Sequence, residues 1–379
     1  MSKYLRIASY ALLLTAAQGA NAKSTIGGII FTNSYIDKQE VSGKDDSTQF
    51  VSELANNSRF RVRWSNEDNV GMYVELGLRD DNGTRVRHAY GQWEINEHWQ
   101  ILAGKTSTPF SPLNPSVAMV RNSGQSVGNT NPSRQSQVRL TRKFQNRKGA
   151  VAISFSDPNG GPTLEDAITG DALGDRESSI PRIDIGAAFS NFNWQVFPSA
   201  FYSDQSYTNI KGSGSDDSVT SWGASLGVKK GFGSVILTAE YGAGQNWGNT
   251  RMSTSGSSAG DNAGVFTLAR NGATSIADND NQGGWVDLGF RFKHGETKGV
   301  IHIIAGELSS EVDDLGIEYN SSMIGISVPI DLPWIARGFR IRPEVFIFDD
   351  DRTPSQLNAS GVSQDSKQTI AGVQLQYTF

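Results

Sequence analysis

From residue 23 onward one rhythm dominates the chain: apolar and polar residues in turn. In "RFRVRW" (59–64), Phe60, Val62 and Trp64 alternate with three arginines. "VGMYVELGL" (70–78) sets Val70, Met72, Val74, Leu76 and Leu78 on one side. The same alternation returns in "VAISF" (151–155), "IDIGAAF" (183–189), "WGASLGV" (222–228), "VILTAEY" (235–241), "VDLGFRF" (286–292) and "MIGISVPI" (323–330). Successive side chains of a strand point to opposite faces, so each segment predicts a strand with one greasy and one wet face. No stretch of ten or more residues carries the 3.6-residue repeat of a helix. The pattern predicts about sixteen strands, from near Ser24–Tyr35 to Gln368–Phe379.

The connections fall into two lengths. Short polar ones lie near 66–69, 145–148, 191–193, 231–233 and 293–297, and long ones rich in Gly, Ser, Asn and Asp run near 156–180 and 247–283. Short turns alternating with long loops predict an all-β fold, a transmembrane antiparallel β-barrel. A soluble sandwich also has many short strands. It gives no reason for a greasy face on nearly every strand opposite a face that carries arginines. The last segment, "TIAGVQLQYTF", alternates to the final residue. A barrel must close its last strand on its first, because an open edge in lipid leaves backbone groups unsatisfied. Tyr377 and Phe379 are then expected in the aromatic girdle at the periplasmic boundary. Trp93, Trp99, Trp194 and Trp334 are expected in girdles or subunit contacts rather than along a sugar track.

Composition agrees with this picture. Hydrophobic residues make up 37% of 379 and charged residues 19%, both low for a soluble enzyme of this length. Without cysteine there are no disulfides and no thiolate metal sites. A net charge of -5 gives no basis for a nucleic-acid partner. The first residues, "MSKYLRIASYALLLTAAQGANA", place Lys3 and Arg6 before an apolar run from Ile7 to Ala17, then Ala20-Asn21-Ala22. That is the pattern of a secretory signal peptide cut after Ala22. The expected division is residues 1–22 as leader and 23–379 as one barrel domain. Removal of Lys3 and Arg6 takes 34 basic residues to 32 against 39 acidic ones, a net of -7. No later segment has the roughly 20 apolar residues of a membrane helix, a test that barrel strands escape.

The wording of 57–141 adds a resemblance. "NNSRFRVRWSNEDNVGMYVELGL" resembles the second hairpin of the trimeric, sixteen-stranded porins of Gram-negative outer membranes. "RVRHAYGQW" followed by "ILAGKTSTPF" resembles their next strand pair and the start of the constriction loop. "RQSQVRLT" (134–141) is most similar to the DcaP-like porins, a group associated with small anions such as dicarboxylates. The resemblance implies a homotrimer, an inward-folded third loop, an outer-membrane location among lipids and lipopolysaccharide, and a C-terminal assembly signal at Tyr377 and Phe379. One departure is that DcaP-like chains often carry an N-terminal coiled-coil extension, whereas here Ala22 leads almost directly into a strand.

Facing follows from cost. An arginine on the lipid face near the midplane costs about 2–4 kcal/mol, so Phe60, Val62 and Trp64 face lipid or a neighbour. Arg59, Arg61 and Arg63 then face the lumen. The same argument sends Arg79, Arg85, Arg87, Arg139, Arg340 and Arg342 inward, with Lys105 expected to join them. Arg340 and Arg342 stand far along the chain, on a sector of their own. The third loop, about 107–133, has no Asp or Glu; its one charge is Arg121, and Asn114, Asn122, Gln125, Asn129 and Asn131 supply neutral polar groups. A cationic wall without an opposing acidic loop favours anions, and arginine's planar fork suits carboxylates and phosphates. The alternative is that these arginines pair with Glu53, Glu75, Asp184, Glu240, Asp287 and Glu344 and merely brace the wall, giving a weakly selective pore.

Other chemistry is sparse. His88, His98, His294 and His302 have no metal-ligand spacing, and no cofactor motif occurs. Gly256-Ser257-Ser258-Ala259-Gly260 matches GxSxG without the strand–turn–helix setting of a nucleophile elbow. The expectation is therefore a passive porin for small hydrophilic solutes, with no enzyme activity, cofactor or metal. Its rivals are a non-selective pore, an adhesin or receptor working through its long loops, and a barrel enzyme.

Overall fold

The computed structural model describes residues 22–78, 83–116, 120, 127–128, 134–144, 148–158, 175–178, 180–191, 193–208, 217–247, 266–270, 273–312, 317–352 and 365–379. They form a closed antiparallel barrel of 16 strands. The strands are β1 (Lys23–Val41), β2 (Ser47–Leu54, resuming as Arg59–Ser65), β3 (Val70–Leu78), β4 (Thr84–Glu94), β5 (Trp99–Thr106) and β6 (Gln135–Lys143). They continue as β7 (Gly149–Ser156), β8 (Arg182–Asn191, preceded by Asp175–Glu177), β9 (Trp194–Thr208), β10 (Asp217–Phe232) and β11 (Val235–Gln245). The circuit is completed by β12 (Asp280–His294), β13 (Thr297–Val312), β14 (Ile317–Ser327, resuming as Ile330–Asp331), β15 (Phe339–Arg352) and β16 (Ser366–Thr378). A separate hairpin, Phe266–Arg270 with Ala273–Ala277, lies within the connection after β11.

Each strand pairs with its sequence neighbours, and β16 closes on β1 from Ile29↔Thr378 to Val41↔Ser366. At the seam Gly28 and Phe379 exchange backbone hydrogen bonds of 3.0 and 3.2 Å. A Cβ on Gly28 would lie 2.5 Å from the Phe379 ring, so the glycine makes room for the aromatic. Every strand therefore has two partners, which is what a backbone in lipid requires.

The alternation read from the sequence is an alternation of burial. On β14, Met323 is 3% exposed and Ile324 57% exposed. Exposed apolar residues such as Ile26, Val138, Ile185, Leu226, Ile303 and Ile326 form the outer belt. At the end with the short turns, aromatic residues ring the barrel. Trp93, Trp194 and Trp334 are exposed there, Phe144 stacks on Phe189 at 6.2 Å, and Tyr377 stacks on Phe379 at 6.4 Å. The Lys230 ammonium lies 4.0 Å from the Trp194 ring centroid, its stem along the apolar face. No described helix is long and apolar enough to cross a membrane, and a barrel needs none.

Two irregularities break the strict period. Ala55–Ser58 interrupt β2, and there the Ser58 hydroxyl accepts from Phe31 N (2.9 Å) and donates to Phe31 O (3.2 Å), replacing ladder bonds. On β4, Val86 pairs with Leu76 and His88 with Glu75, leaving Arg87 as the extra residue of a bulge.

Candidate channel constriction

The described residues of the third loop, between β5 and β6, lie inside the barrel against one side of its wall. A Cβ on Gly186 of β8 would sit 2.4 Å from Pro109 O, so the loop runs directly over that strand. Phe110 packs edge-on against Phe201 of β9 at 4.8 Å, and Ser111 N donates to Ser199 Oγ at 2.9 Å. Three carboxylates then hold the loop. Glu240 on β11 accepts from the Ser111 hydroxyl and from Leu113 N (3.3 Å). Asp287 on β12 accepts from Ser116 N at 3.0 Å, and Glu344 on β15 accepts from Val120 N at 2.7 Å. The returning part sits over β12 and β13, where a Cβ on Gly306 would lie 2.0 Å from Val127 O. Two of these carboxylates are further engaged: Asp287 with His302 Nδ1 at 2.7 Å, and Glu344 with the Ser327 hydroxyl at 2.6 Å.

Basic side chains occupy the facing sector. Arg59, Arg61 and Arg63 of β2 share a face with Gly77, Glu75 and Tyr73 of β3. Arg85 stands opposite Gly77 on β4, while the bulge directs Arg87 to the same face, where its Nε donates to Glu75 Oε1 at 2.8 Å. Arg59 lies 3.9 Å from the same carboxylate, which also accepts from the Tyr73 hydroxyl at 2.6 Å. Arg139 of β6 stands opposite Leu102 and Ser154 on the inner face. Among the described residues, Arg61, Arg63 and Arg139 make no ion pair.

The candidate partners for these arginines divide unevenly. Glu75 serves both Arg59 and Arg87, and Arg87 also donates to Asn57 Oδ1 at 3.3 Å. Asp184 binds Arg182 at 2.7 Å, and Asn33 Nδ2 lies 3.5 Å from Glu53. Glu240, Asp287 and Glu344 hold the loop instead. There they accept from the Ser111 hydroxyl and from backbone N–H groups.

One sequence expectation needs revision, and others fall outside the described residues. Lys105 does not join the basic wall: it stands opposite Ala89 and Ser136, on the face that carries Ile101, Ala103 and Val138. The outward parity of Ile101 and Ala103 fixes it, and its place at the loop end of β5 lets the long stem carry the charge toward the membrane surface. Arg340 and Arg342 stand on the inner face of β15, away from the arginines of β2–β6, as their place in the chain led us to expect. Arg340 is paired with Asp331 at 2.7 Å, and Arg342 is buried with an Nε that has no hydrogen-bond partner. Arg79, Arg121 and the GxSxG at 256–260 lie outside the described residues, as does the leader up to residue 21.

Sequence reading missed several lumenal groups. His88 takes a hydrogen bond on Nε2 from Arg134 Nε (2.9 Å), and its Nδ1 lies 2.9 Å from the Thr106 hydroxyl. Arg134 thereby ties the far root of the third loop to β4. Tyr73, Tyr90 and His88 form a ring cluster on the lumenal face. Tyr73 could have been found from the register of β3 against "RFRVRW". His88 and Tyr90 could not, because the bulge reverses the parity of β4. Among the described residues no group of three or more His, Asp and Glu is gathered as a metal site.

A closed barrel with an outward apolar belt and a loop folded into its lumen is the outer-membrane porin fold. Comparison with solved structures places the chain in that class. It matches the outer membrane channel DcaP of Acinetobacter baumannii with a TM-score of 0.68 at 15% identity, covering 96% of this chain and 99% of that one. The trimer form of OmpT from Vibrio cholerae matches at 0.54 and 13% identity, over 95% and 100% of the two chains. Salmonella typhi OmpF in complex with daunomycin matches at 0.52 and 14% identity, over 94% and 98%. No family model and no curated protein matches the chain. At these identities the likeness establishes the fold.

Proposed function

We propose that the chain is an outer-membrane porin of a Gram-negative cell, conducting small hydrophilic solutes passively with a preference for anions. The observation that carries the preference is the unequal engagement of the lumenal charges. Arg61, Arg63 and Arg139 make no ion pair with a described residue, while Glu240, Asp287 and Glu344 are occupied by the third loop. Unpaired guanidinium groups in a low-dielectric wall attract anions and replace part of their hydration shell. Binding spread over several arginines stays weak enough to permit exit.

In this reading residues 1–22 are removed on export, and Tyr377 with Phe379 form the assembly signal. The barrel forms a homotrimer surrounded by lipids and lipopolysaccharide. The trimeric solved relative and the porin resemblance of 57–141 support the assembly state. Reversal potentials of single channels in a KCl gradient test the preference. Chloride should be the more permeant ion, and Arg61→Glu with Arg63→Glu should lower or reverse that ratio. A cation-preferring unaltered channel would overturn the reading. The weakly selective alternative draws on the paired arginines, Arg87 with Glu75 and Arg182 with Asp184, and it expects a reversal potential near zero.

A further inference from the structure

The barrel carries a second basic cluster, at the mouth with the short turns and on strands far along the chain from the first. β12 and β13 pair as far as His294↔Thr297, around a turn of Gly295 (φ 59°) and Glu296. Their neighbour β11 ends sooner. Its first residue, Val235, pairs with Phe290, and Arg291 N donates to Ser234 O at 2.8 Å. The tip of the β12–β13 hairpin therefore runs on past the end of β11.

Parity fixes which way the tip faces. Phe290 and Phe292 are exposed on the outer face, and a Cβ on Gly299 would lie 2.3 Å from the Phe292 ring, so that ring lies over the glycine. Arg291 and Lys293 alternate with these phenylalanines and face inward. On β13, Ile301 and Ile303 are the outward residues, which turns Lys298 and Val300 inward. Lys293 stands directly opposite Lys298, and Arg291 stands opposite Val300, diagonal to Lys298. Cβ atoms are about 5 Å apart in a direct pair, and diagonal neighbours about 7–8 Å.

Like charges directly opposite one another destabilise a sheet, and no described acid is bound to these. Arg291, Lys293 and Lys298 are exposed and make no ion pair with a described residue. Arg291 Nη1 donates to Gly233 O at 3.4 Å. Asp331, in register with Lys298, is engaged by Arg340 at 2.7 Å. A singly charged anion gains little from one exposed ammonium. A multiply charged oxyanion accepts from two or three of these groups at once and offsets the repulsion between the lysines. Two of the three are lysines, point charges that suit a tetrahedral phosphate as well as any planar group. The three face inward, away from lipid, so the ligand is a dissolved solute rather than a headgroup.

We propose that Arg291, Lys293 and Lys298 form a binding site for multiply charged phosphates, such as polyphosphates and phosphate esters, at the short-turn mouth. The site uses none of the arginines of β2–β6 and does not rest on the anion preference.

The test is calorimetric titration of the detergent-solubilised barrel with pyrophosphate in about 0.1 M KCl, where the Debye length is about 10 Å. The unaltered barrel should bind it. Lys293→Gln with Lys298→Gln should weaken binding about fivefold, the loss expected for two exposed ion pairs. Lys44→Gln with Lys105→Gln removes the same charge at the loop end and should leave affinity within about twofold. The heat-sensitive mobility of the barrel on gels checks the fold of each variant. No binding by the unaltered barrel would overturn the site without needing any variant. Unchanged affinity in the Lys293 and Lys298 variant, or an equal loss in the Lys44 and Lys105 control, would overturn it too. Failure of the anion preference would appear separately, in the KCl reversal potential.

Discussion

At the scale of single residues, three lumenal carboxylates act as holdfasts. Glu240 receives two donors of the third loop, the Ser111 hydroxyl and Leu113 N. Glu240→Ala would leave both without partners in a buried position, at a cost of about 1–3 kcal/mol. The expected outcome is larger and noisier single-channel conductance with the barrel still formed. Unchanged conductance would mean that Glu240 does not hold the loop. The sequence identified this residue as lumenal and offered it, in the alternative reading, as one candidate partner for the arginines. The choice between an arginine and a loop amide depends on contacts 127 and 129 residues apart in the chain, and no local pattern encodes them.

At the scale of elements, the strands were legible wherever the period of two ran unbroken. "RFRVRW" could take only one facing, since the other puts three cations in lipid. β4 was legible only in part. Counting by twos sends Arg85, Arg87 and Ala89 inward, whereas the bulge at Arg87 turns Ala89 outward and brings His88 and Tyr90 in. The path of the third loop was implied by resemblance, not by its own residues, because a loop without alternation carries no directional signal. Its fit against the wall is testable at Gly306. A Cβ there would meet Val127 O at 2.0 Å, a backbone atom rather than the end of a flexible side chain. Gly306→Ala should therefore displace the returning limb and alter conductance or its stability, with the folded, heat-sensitive mobility of the barrel on gels retained. Conductance identical to the unaltered channel would contradict the close approach.

At the scale of the whole molecule, stability rests on closure. An unclosed β1–β16 seam would expose a row of backbone donors and acceptors to hydrocarbon, each costing several kcal/mol. Gly28→Val would press a side chain into the Phe379 ring, 2.5 Å away, and toward Arg59 O, 2.9 Å away. The variant should fold more slowly into detergent micelles and lose its compact mobility at a lower temperature. Folding at the same rate as the unaltered chain would show that the packing of Phe379 on Gly28 is dispensable.

The holdfasts also bear on how such a channel could diversify. At Leu113, Ser116 and Val120 they grip main-chain amides, a group that every amino acid except proline provides. Side chains in that stretch can change without loosening the moorings. New permeation properties are therefore open to point mutation, or to a protein engineer, while the barrel stays as it is.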